Sequence, residues 1–359
     1  MKILYGIQGT GNGHLARARA LVPALRNADI EMDFIFSGRA REDFFNMDTF
    51  GDEFRCFQGL SLMTSRGKLD TLKTVTHNNL VRFLNDVRQL KLDEYDLVLS
   101  DFEPVTAWAA KLKGKPSLGI SHQCAFDYAI PKVSGYTSAR LLMKIFAPTQ
   151  HRVGLHWHHF DQPILPPLIE QQKGLPVIDN KILVYMGFEH LDDIIRFVKP
   201  FTDFEFHIYA KVDDKQDLGH IKVNPLSHEA FHRDLQDSAG VISNAGFELA
   251  SECLMLGKKL LIKPLLGQYE QLSNALALQA LKRATVINQL DQAMLEAWLP
   301  LPSYAPLPYP NVADALAQWL KTGELNNTQS LVEQLWAGID QDISYDSQFG
   351  SNLLPNLIL

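Results

Sequence analysis

The chain has 359 residues, more than one hydrophobic core usually supports, so two domains are the first expectation. Its 46% hydrophobic and 21% charged residues are those of an ordinary globular protein, and no apolar run reaches the roughly 18 to 20 residues of a membrane span. A net charge of −7 argues against general nucleic-acid binding. The three cysteines, Cys56, Cys124 and Cys253, are too scattered for a metal spacing or a disulfide framework, which fits a reducing cytoplasm.

No signal peptide is read ahead of the first apolar strand, Lys2 to Ile7. That strand runs into Gln8-Gly9-Thr10-Gly11-Asn12-Gly13-His14, and a helix follows over Leu15 to Arg26. Three glycines let the backbone approach a ligand closely, and the helix N-terminus attracts anions. His14 sits at the mouth, and histidine is the residue type there able to exchange a proton without help, which suits chemistry as well as binding. A nicotinamide or flavin site fits poorly. Gly9 and Gly11 would put His14 at the third glycine of that fingerprint, and the second strand, Met32 to Phe36, ends in Ser37-Gly38 instead of a ribose-binding acid.

Next come a long loop, Gly59 to Leu69, a helix over Thr71 to Gln89, a strand over Leu97 to Leu99, a helix over Val105 to Lys113 and a strand over Ser117 to Ile120. Arg140 to Phe146 is apolar with two cations and reads as a core helix or as a patch docking on a bilayer. His151, His156, His158 and His159 resemble a metal cluster but read better as a strand, with His156 and His158 on one face. No acidic or cysteine ligands flank them, and no metal is expected. The proline-dense run Phe160 to Pro167 reads as an interdomain connection.

The pattern then restarts with strands at Ile182–Tyr185, Glu205–Tyr209, Gly240–Ile242, Lys259–Ile262 and Thr285–Ile287. The expected architecture is α/β, with two Rossmann-like doubly wound domains facing a cleft. The domains are residues 1–165 and 176–320, and a tail, 321–359, returns to the first; a helical pattern covers Val312 to Leu320. In the second domain Asn244-Ala245-Gly246 turns into a helix whose free N–H groups can hold a diphosphate, and Glu252 on that helix can accept ribose hydroxyls. The plain alternative for Glu252 is a solvated helix carboxylate. Glu248, in the first turn, would repel a phosphate bound there unless it points away.

These residues together resemble the two-domain GT-B glycosyltransferases. The likeness takes in the bacterial N-acetylglucosaminyltransferases acting on lipid-linked muramoyl pentapeptide, the UDP-glycosyltransferases, and a prokaryotic GT-B-like group sharing the glycine-rich turn and the Asp101-Phe102-Glu103-Pro104 segment. It spans nearly the whole chain. Gly9 to His14 matches a Gly-Thr-Gly-Gly-His turn with one residue added, and Pro264, Glu270-Gln271 and Asn274-Ala275 follow the donor loop. The Trp and His-Cys-Gly-Trp elements of the plant donor box are absent.

The resemblance implies a metal-independent, inverting transfer of sugar from a nucleotide-diphosphate sugar, UDP-linked, to an acceptor hydroxyl. His14 matches the base, Asp101 matches the acid that orients it, and Glu103 is a second candidate base. Asp101 has a plainer reading as a helix N-cap before Val105. Gly11, Gly13, Met186, Gly187, Asn244, Ala245, Gly246, Glu252, Glu270 and Gln271 are the implied donor-binding residues, with backbone N–H groups and Asn244 holding the leaving-group charge. No cofactor is implied, and the acceptor is a glycan, a lipid-linked or a small molecule, with peripheral membrane contact as a further expectation. Two other functions fit the same residues: a UDP-sugar hydrolase or epimerase, and a non-enzymatic nucleotide-sugar binding protein.

Overall fold

The computed structural model describes residues 1–61, 64–65, 68–69, 78–172, 174–339 and 345. The first sheet is built from β1 (Lys2–Gln8), β2 (Glu31–Ser37), β3 (Arg55–Phe57), β4 (Leu97–Asp101), β5 (Ser117–Ser121), β6 (His151–Leu155) and β7 (Ile164–Leu165). Its strand order is β3-β2-β1-β4-β5-β6-β7, and every pairing is parallel. Helices α1 (Asn12–Asn27), α2 (Leu80–Gln89), α3 (Pro104–Lys113), α4 (His122–Ala125) and α5 (Thr137–Phe146) belong to this half. The order reverses beside β1, so ligands are expected at the C-terminal ends of β1 and β4, where α1 and α3 begin.

The second sheet contains β8 (Ile178–Tyr185), β9 (Glu205–Ala210), β10 (Gln216–Asp217), β11 (Ile221–Pro225), β12 (Ser238–Asn244), β13 (Lys259–Lys263) and β14 (Thr285–Val286). Its order is β10-β11-β9-β8-β12-β13-β14, parallel except for the short β10–β11 pair. Its helices are α6 (Leu191–Val198), α7 (His228–Asp237), α8 (Phe247–Met255), α9 (Tyr269–Ala280) and α10 (Gln292–Trp298). Both sheets bury continuous apolar strands, as parallel sheets covered on two faces require. The expected pair of doubly wound α/β domains is therefore present.

Local chemistry explains the element ends. Gly6 in β1 is needed for packing, because a Cβ there would lie 2.1 Å from Thr106 Oγ1 on α3. α3 starts with Pro104 at its first turn and stops at Gly114, whose φ of +64° gives the left-handed cap.

Several expectations are corrected. The helix expected over Thr71 to Gln89 is described as α2 only, and residues 71–77 lie outside the described residues. Within the loop Gly59 to Leu69, Thr64–Ser65 and Lys68–Leu69 form a two-stranded antiparallel ribbon, and residues 62–63 and 66–67 lie outside the described residues. The run Phe160 to Pro167 is not a free linker: Ile164 and Leu165 form edge strand β7, a position where flanking prolines cost no ladder bond. His156, His158 and His159 lie beyond the end of β6, in a turn where His156 Nδ1 and His158 Nδ1 accept the N–H groups of Trp157 and Phe160, both at 2.9 Å. The Arg140 to Phe146 stretch is not a core helix, since Leu141, Leu142 and Ile145 of α5 are exposed and only Phe146 is buried.

The chain returns to the first half before residue 321. α11 (Val312–Thr322) packs on α1, and α12 (Gln329–Trp336) packs on β7, with Trp336 Nε1 donating to Ile164 O at 2.7 Å. The expected tail residues Ser351 to Leu359 lie outside the described residues. Among the described residues no helix is long and apolar enough to cross a membrane.

The two halves meet along α8, which is buried on all sides. His122 of α4 stacks on Phe247 at 4.0 Å between ring centroids and 7° between planes, and Trp157 packs on the same ring at 5.0 Å. Polar groups fix the register: Trp157 Nε1 donates to Ser251 Oγ at 2.8 Å, and the His122 ring, bonded to Leu155 O at 2.9 Å, reaches Asn274 Oδ1 at 2.7 Å.

Candidate active site

β1 delivers the glycine turn to this seam. Gly9 donates its N–H to Ser37 O at 2.6 Å, and a Cβ at Gly9 would lie 2.7 Å from the Phe44 ring, so only glycine fits. Gly11 is the extended N-cap of α1, makes no side-chain cap bond and faces open space. The first N–H groups of α1 therefore carry no protein side-chain cap. Across the seam α8 begins in the same way, with an extended Gly246 as N-cap, no side-chain cap bond and open space where a Cβ would be. The two helix starts approach closely, since a Cβ at Gly13 would come within 3.0 Å of Glu248 Cγ.

His14 lies on the first turn of α1 and is largely buried, and its Nδ1 is 2.7 Å from Asp101 Oδ1 at the end of β4. With Nδ1–H donated to the carboxylate, Nε2 carries the lone pair, the tautomer a general base needs. The ring lies nearly parallel to Phe102 at 6.3 Å. Phe102 has a φ of +54°, a left-handed conformation uncommon for an aromatic residue, and its ring stacks on Phe146 at 4.7 Å.

One turn further along α1, Arg17 is 3% exposed and joins the halves. Its Nη1 donates to Asp101 Oδ1 at 2.8 Å, its Nε donates to Glu248 Oε1 at 2.9 Å, and Nη2 donates to the same Glu248 oxygen. Burial alone would lower the guanidinium pKa, but Asp101 and Glu248 hold it above its ordinary value. Burial pushes the Glu248 carboxyl up and Arg17 opposes that shift. Asp101 Oδ2 and Glu248 Oε2 have no hydrogen-bond partner among the described residues. Glu248 thus points at Arg17, which answers the concern that its charge would face a bound phosphate.

Glu103 is not placed as a base. It is the N-cap of α3, fully buried, with Oε1 accepting from Val105 N at 2.8 Å and Oε2 accepting from Thr106 N and Oγ1, each at 2.6 Å. Asp101 is consequently free of the capping role. The Asn244 amide donates to Lys263 O at 3.1 Å and accepts from Phe188 N at 3.4 Å, so it ties the end of β12 to β13 and to the loop after β8. The Met186 side chain is buried in the second core, which leaves only its backbone to face a ligand, whereas Gly187 is exposed. Ala245 O accepts from Asn274 Nδ2 at 3.0 Å, which holds the turn before Gly246. Gln271 Oε1 accepts from Leu265 N at 2.8 Å and shapes its own loop, and both Glu270 oxygens accept from Gln123 of the first domain at 3.1 Å.

Glu252 is not a solvated carboxylate. It is 7% exposed, its Oε2 has no hydrogen-bond partner, and burial, with Glu248 and Glu170 adding repulsion, pushes its pKa up to about 8. Its Oε2 therefore has hydrogen-bonding capacity that none of the described residues fills. The sequence reading missed Arg17 as a site residue, although its i, i+3 spacing from His14 places both on one helix face. It also missed Tyr185, whose hydroxyl meets Asn12 Nδ2 at 3.4 Å across the seam.

The sequence matches the family model for glycosyl transferase family 1 over residues 1–302. No curated protein matches significantly. Among solved structures, the glycosyltransferase SnogD from Streptomyces nogalater is 13% identical with a TM-score of 0.55, covering 94% of this chain and 99% of its own. VinC, a glycosyltransferase solved with dTDP, is 14% identical with a TM-score of 0.52 over 94% of this chain and 99% of its own. MurG from Acinetobacter baumannii is 16% identical with a TM-score of 0.51 over 94% of this chain and all of its own. Identities this low speak for the fold, and the family match speaks for the activity: the chain belongs to glycosyl transferase family 1 and is a glycosyltransferase enzyme of the GT-B fold.

Proposed function

We propose that the enzyme transfers a sugar from a nucleoside-diphosphate sugar, UDP-linked, to an acceptor hydroxyl by a metal-independent, inverting displacement at the seam between α1 and α8. The observation that carries this reading is the facing of His14, paired with Asp101 at 2.7 Å, and the uncapped start of α8. His14 Nε2 takes the proton from the acceptor O–H as that oxygen bonds to the anomeric carbon. The bond from that carbon to the diphosphate breaks on the opposite face, and its electron pair leaves with the phosphate oxygen. Asp101 stabilises the imidazolium that forms, as the aspartate of a hydrolase triad does. Backbone N–H groups at Gly246 and the positive end of α8 receive the diphosphate charge. Glu252 accepts the ribose hydroxyls, satisfying its orphaned oxygen.

Arg17 holds Asp101 in place through its bond to Oδ1. It acts through Asp101 and does not touch the reacting atoms. The exposed apolar residues Leu141, Leu142 and Ile145 of α5, beside Arg140 and Lys144, support peripheral contact with a bilayer that carries a lipid-linked acceptor. The decisive test of donor binding is a thermal-shift series with uridine and thymidine diphosphates and their sugars. The expected result is a raised Tm with the uridine compounds that Glu252→Ala abolishes. No shift with any nucleotide overturns the donor reading.

A further inference from the structure

The segment Asp101-Phe102-Glu103-Pro104 supplies Asp101 to His14 and Glu103 to the start of α3, and neither role uses the residue between them. Phe102 turns the chain out of β4 with a φ of +54°. Glycine adopts that conformation freely, asparagine and aspartate tolerate it, and a bulky aromatic residue is strained there. The turn itself has no need of a phenyl ring. The Ser100 hydroxyl closes it, accepting from Glu103 N and donating to Glu103 O, both at 3.0 Å. A strained residue beside a functional group persists when its surroundings over-determine it, so the reason for the phenyl ring lies in the rings around it.

Phe102 is half-buried and stacks on Phe146, with centroids 4.7 Å and planes 19° apart. Phe146 is itself buried at the end of α5, beside Ala107 and Ala147. The His14 imidazole lies 6.3 Å from the Phe102 ring, centroid to centroid, with only 8° between the planes. Three rings in nearly one orientation therefore run from α1 to α5. Asp101 fixes one atom of the imidazole, Nδ1, at 2.7 Å, and a ring held at one atom can still turn about that bond. The flat side of Phe102 supplies the second constraint, because a catalytic group has to be aimed to within about 10 to 20°.

We propose that Phe102 is a positioning residue for sugar transfer: its ring, backed by Phe146, sets the plane of the His14 imidazole so that Nε2 faces the acceptor hydroxyl. The strained backbone is retained for that placement. Phe102 acts through His14 and touches neither the nucleotide nor the anomeric carbon. This role rests on His14 being the base and adds a requirement that His14 and Asp101 alone do not make.

The test compares wild type with Phe102→Leu, which keeps bulk and the same backbone demand but removes the flat ring, in proteins with matching circular dichroism spectra. Crystal structures of both without nucleotide should keep the bond from His14 Nδ1 to Asp101, with the imidazole plane turned by more than about 20° in the variant. UDP release from UDP-glucose and UDP-N-acetylglucosamine, with water as the hydroxyl, should show kcat lowered at least about tenfold and the donor KM changed by less than about twofold. Phe102→Tyr, which keeps the ring, should recover kcat to within about threefold of wild type. In a His14→Ala background Phe102→Leu should lower the residual turnover no further, since the two residues act as one unit. An imidazole unmoved in Phe102→Leu, or an equal loss of turnover with and without His14, overturns the proposal. Should Phe102→Leu fail to fold, Phe146→Ala leaves the turn intact and provides the same comparisons. Where water is too slow an acceptor for kinetics, the crystal structures decide. Unchanged turnover in His14→Ala overturns the base and the positioning role together, whereas an inactive His14→Ala beside a fully active Phe102→Leu overturns the positioning role alone.

Discussion

Replacing Arg17 with methionine strips the counter-charge from two buried carboxylates at once. Asp101 is fully buried and Glu248 is 7% exposed; both accept from this guanidinium, and Asp101 is bonded also to His14. Removing one partner of a buried ion pair costs about 3 to 5 kcal/mol, because the remaining charge stays desolvated. That is a large share of the roughly 5 to 15 kcal/mol by which folded domains are stable. The loss has a definite pH signature. Without Arg17 the Glu248 carboxyl, raised by burial, loses the charge that opposes that rise, so the folded form binds more protons than the unfolded one and stability falls as pH rises. Urea unfolding of Arg17→Met should therefore show its largest loss at pH 8, shrinking toward pH 5 as Glu248, already pushed up by burial, takes a proton. Adding Glu248→Gln to the variant removes one orphaned charge and should recover at least about 1 kcal/mol at pH 8. A loss below about 1 kcal/mol, or one that is the same at both pH values, would refute the argument that this residue neutralises the seam.

His14→Ala should leave folding and nucleotide affinity nearly intact while lowering turnover about a hundredfold or more, measured as nucleoside diphosphate release with a saturating acceptor; unchanged turnover would remove His14 from the mechanism. Glu252 is raised from 4.5 to about 8, so in the unliganded protein it lowers stability progressively across that window, with a ceiling of about 5 kcal/mol above pH 8. Glu252→Gln should match wild type near pH 4.5 and exceed it increasingly up to pH 8, whereas parallel stability curves would contradict the burial of that charge. Cosedimentation with vesicles rich in anionic lipid should fall when Leu141 and Ile145 are both changed to glutamate, and equal binding by the two proteins would dismiss α5 as the contact.

Local patterns made the scaffold legible. The strand, glycine turn and helix around His14, and the small-residue turn at Gly246, are written within a dozen residues each, and the alternation of apolar strands with helical periodicity marks both sheets. Long-range pairings were not legible. Arg17 and Glu248 are 231 positions apart, and nothing in the local sequence of either announces the other. His122 against Phe247 is a similar case, since each sits in an unremarkable apolar setting until the two halves dock.

Segment ends also escaped the pattern. Asp101 and Glu103 both stand ahead of Pro104 as plausible caps, and the positive φ of Phe102 between them decides that Glu103 turns into α3. The histidines after Leu155 alternate like a strand, yet the sheet ends there because the neighbouring strand β7 supplies only two residues.

The most direct test of the central claim is a crystal structure of the enzyme with uridine diphosphate. The account predicts the diphosphate on the N–H groups at Gly246, both ribose hydroxyls on Glu252, and His14 Nε2 facing the terminal phosphate across the seam. A nucleotide bound away from the start of α8, with His14 on the far side of the molecule from it, would contradict it.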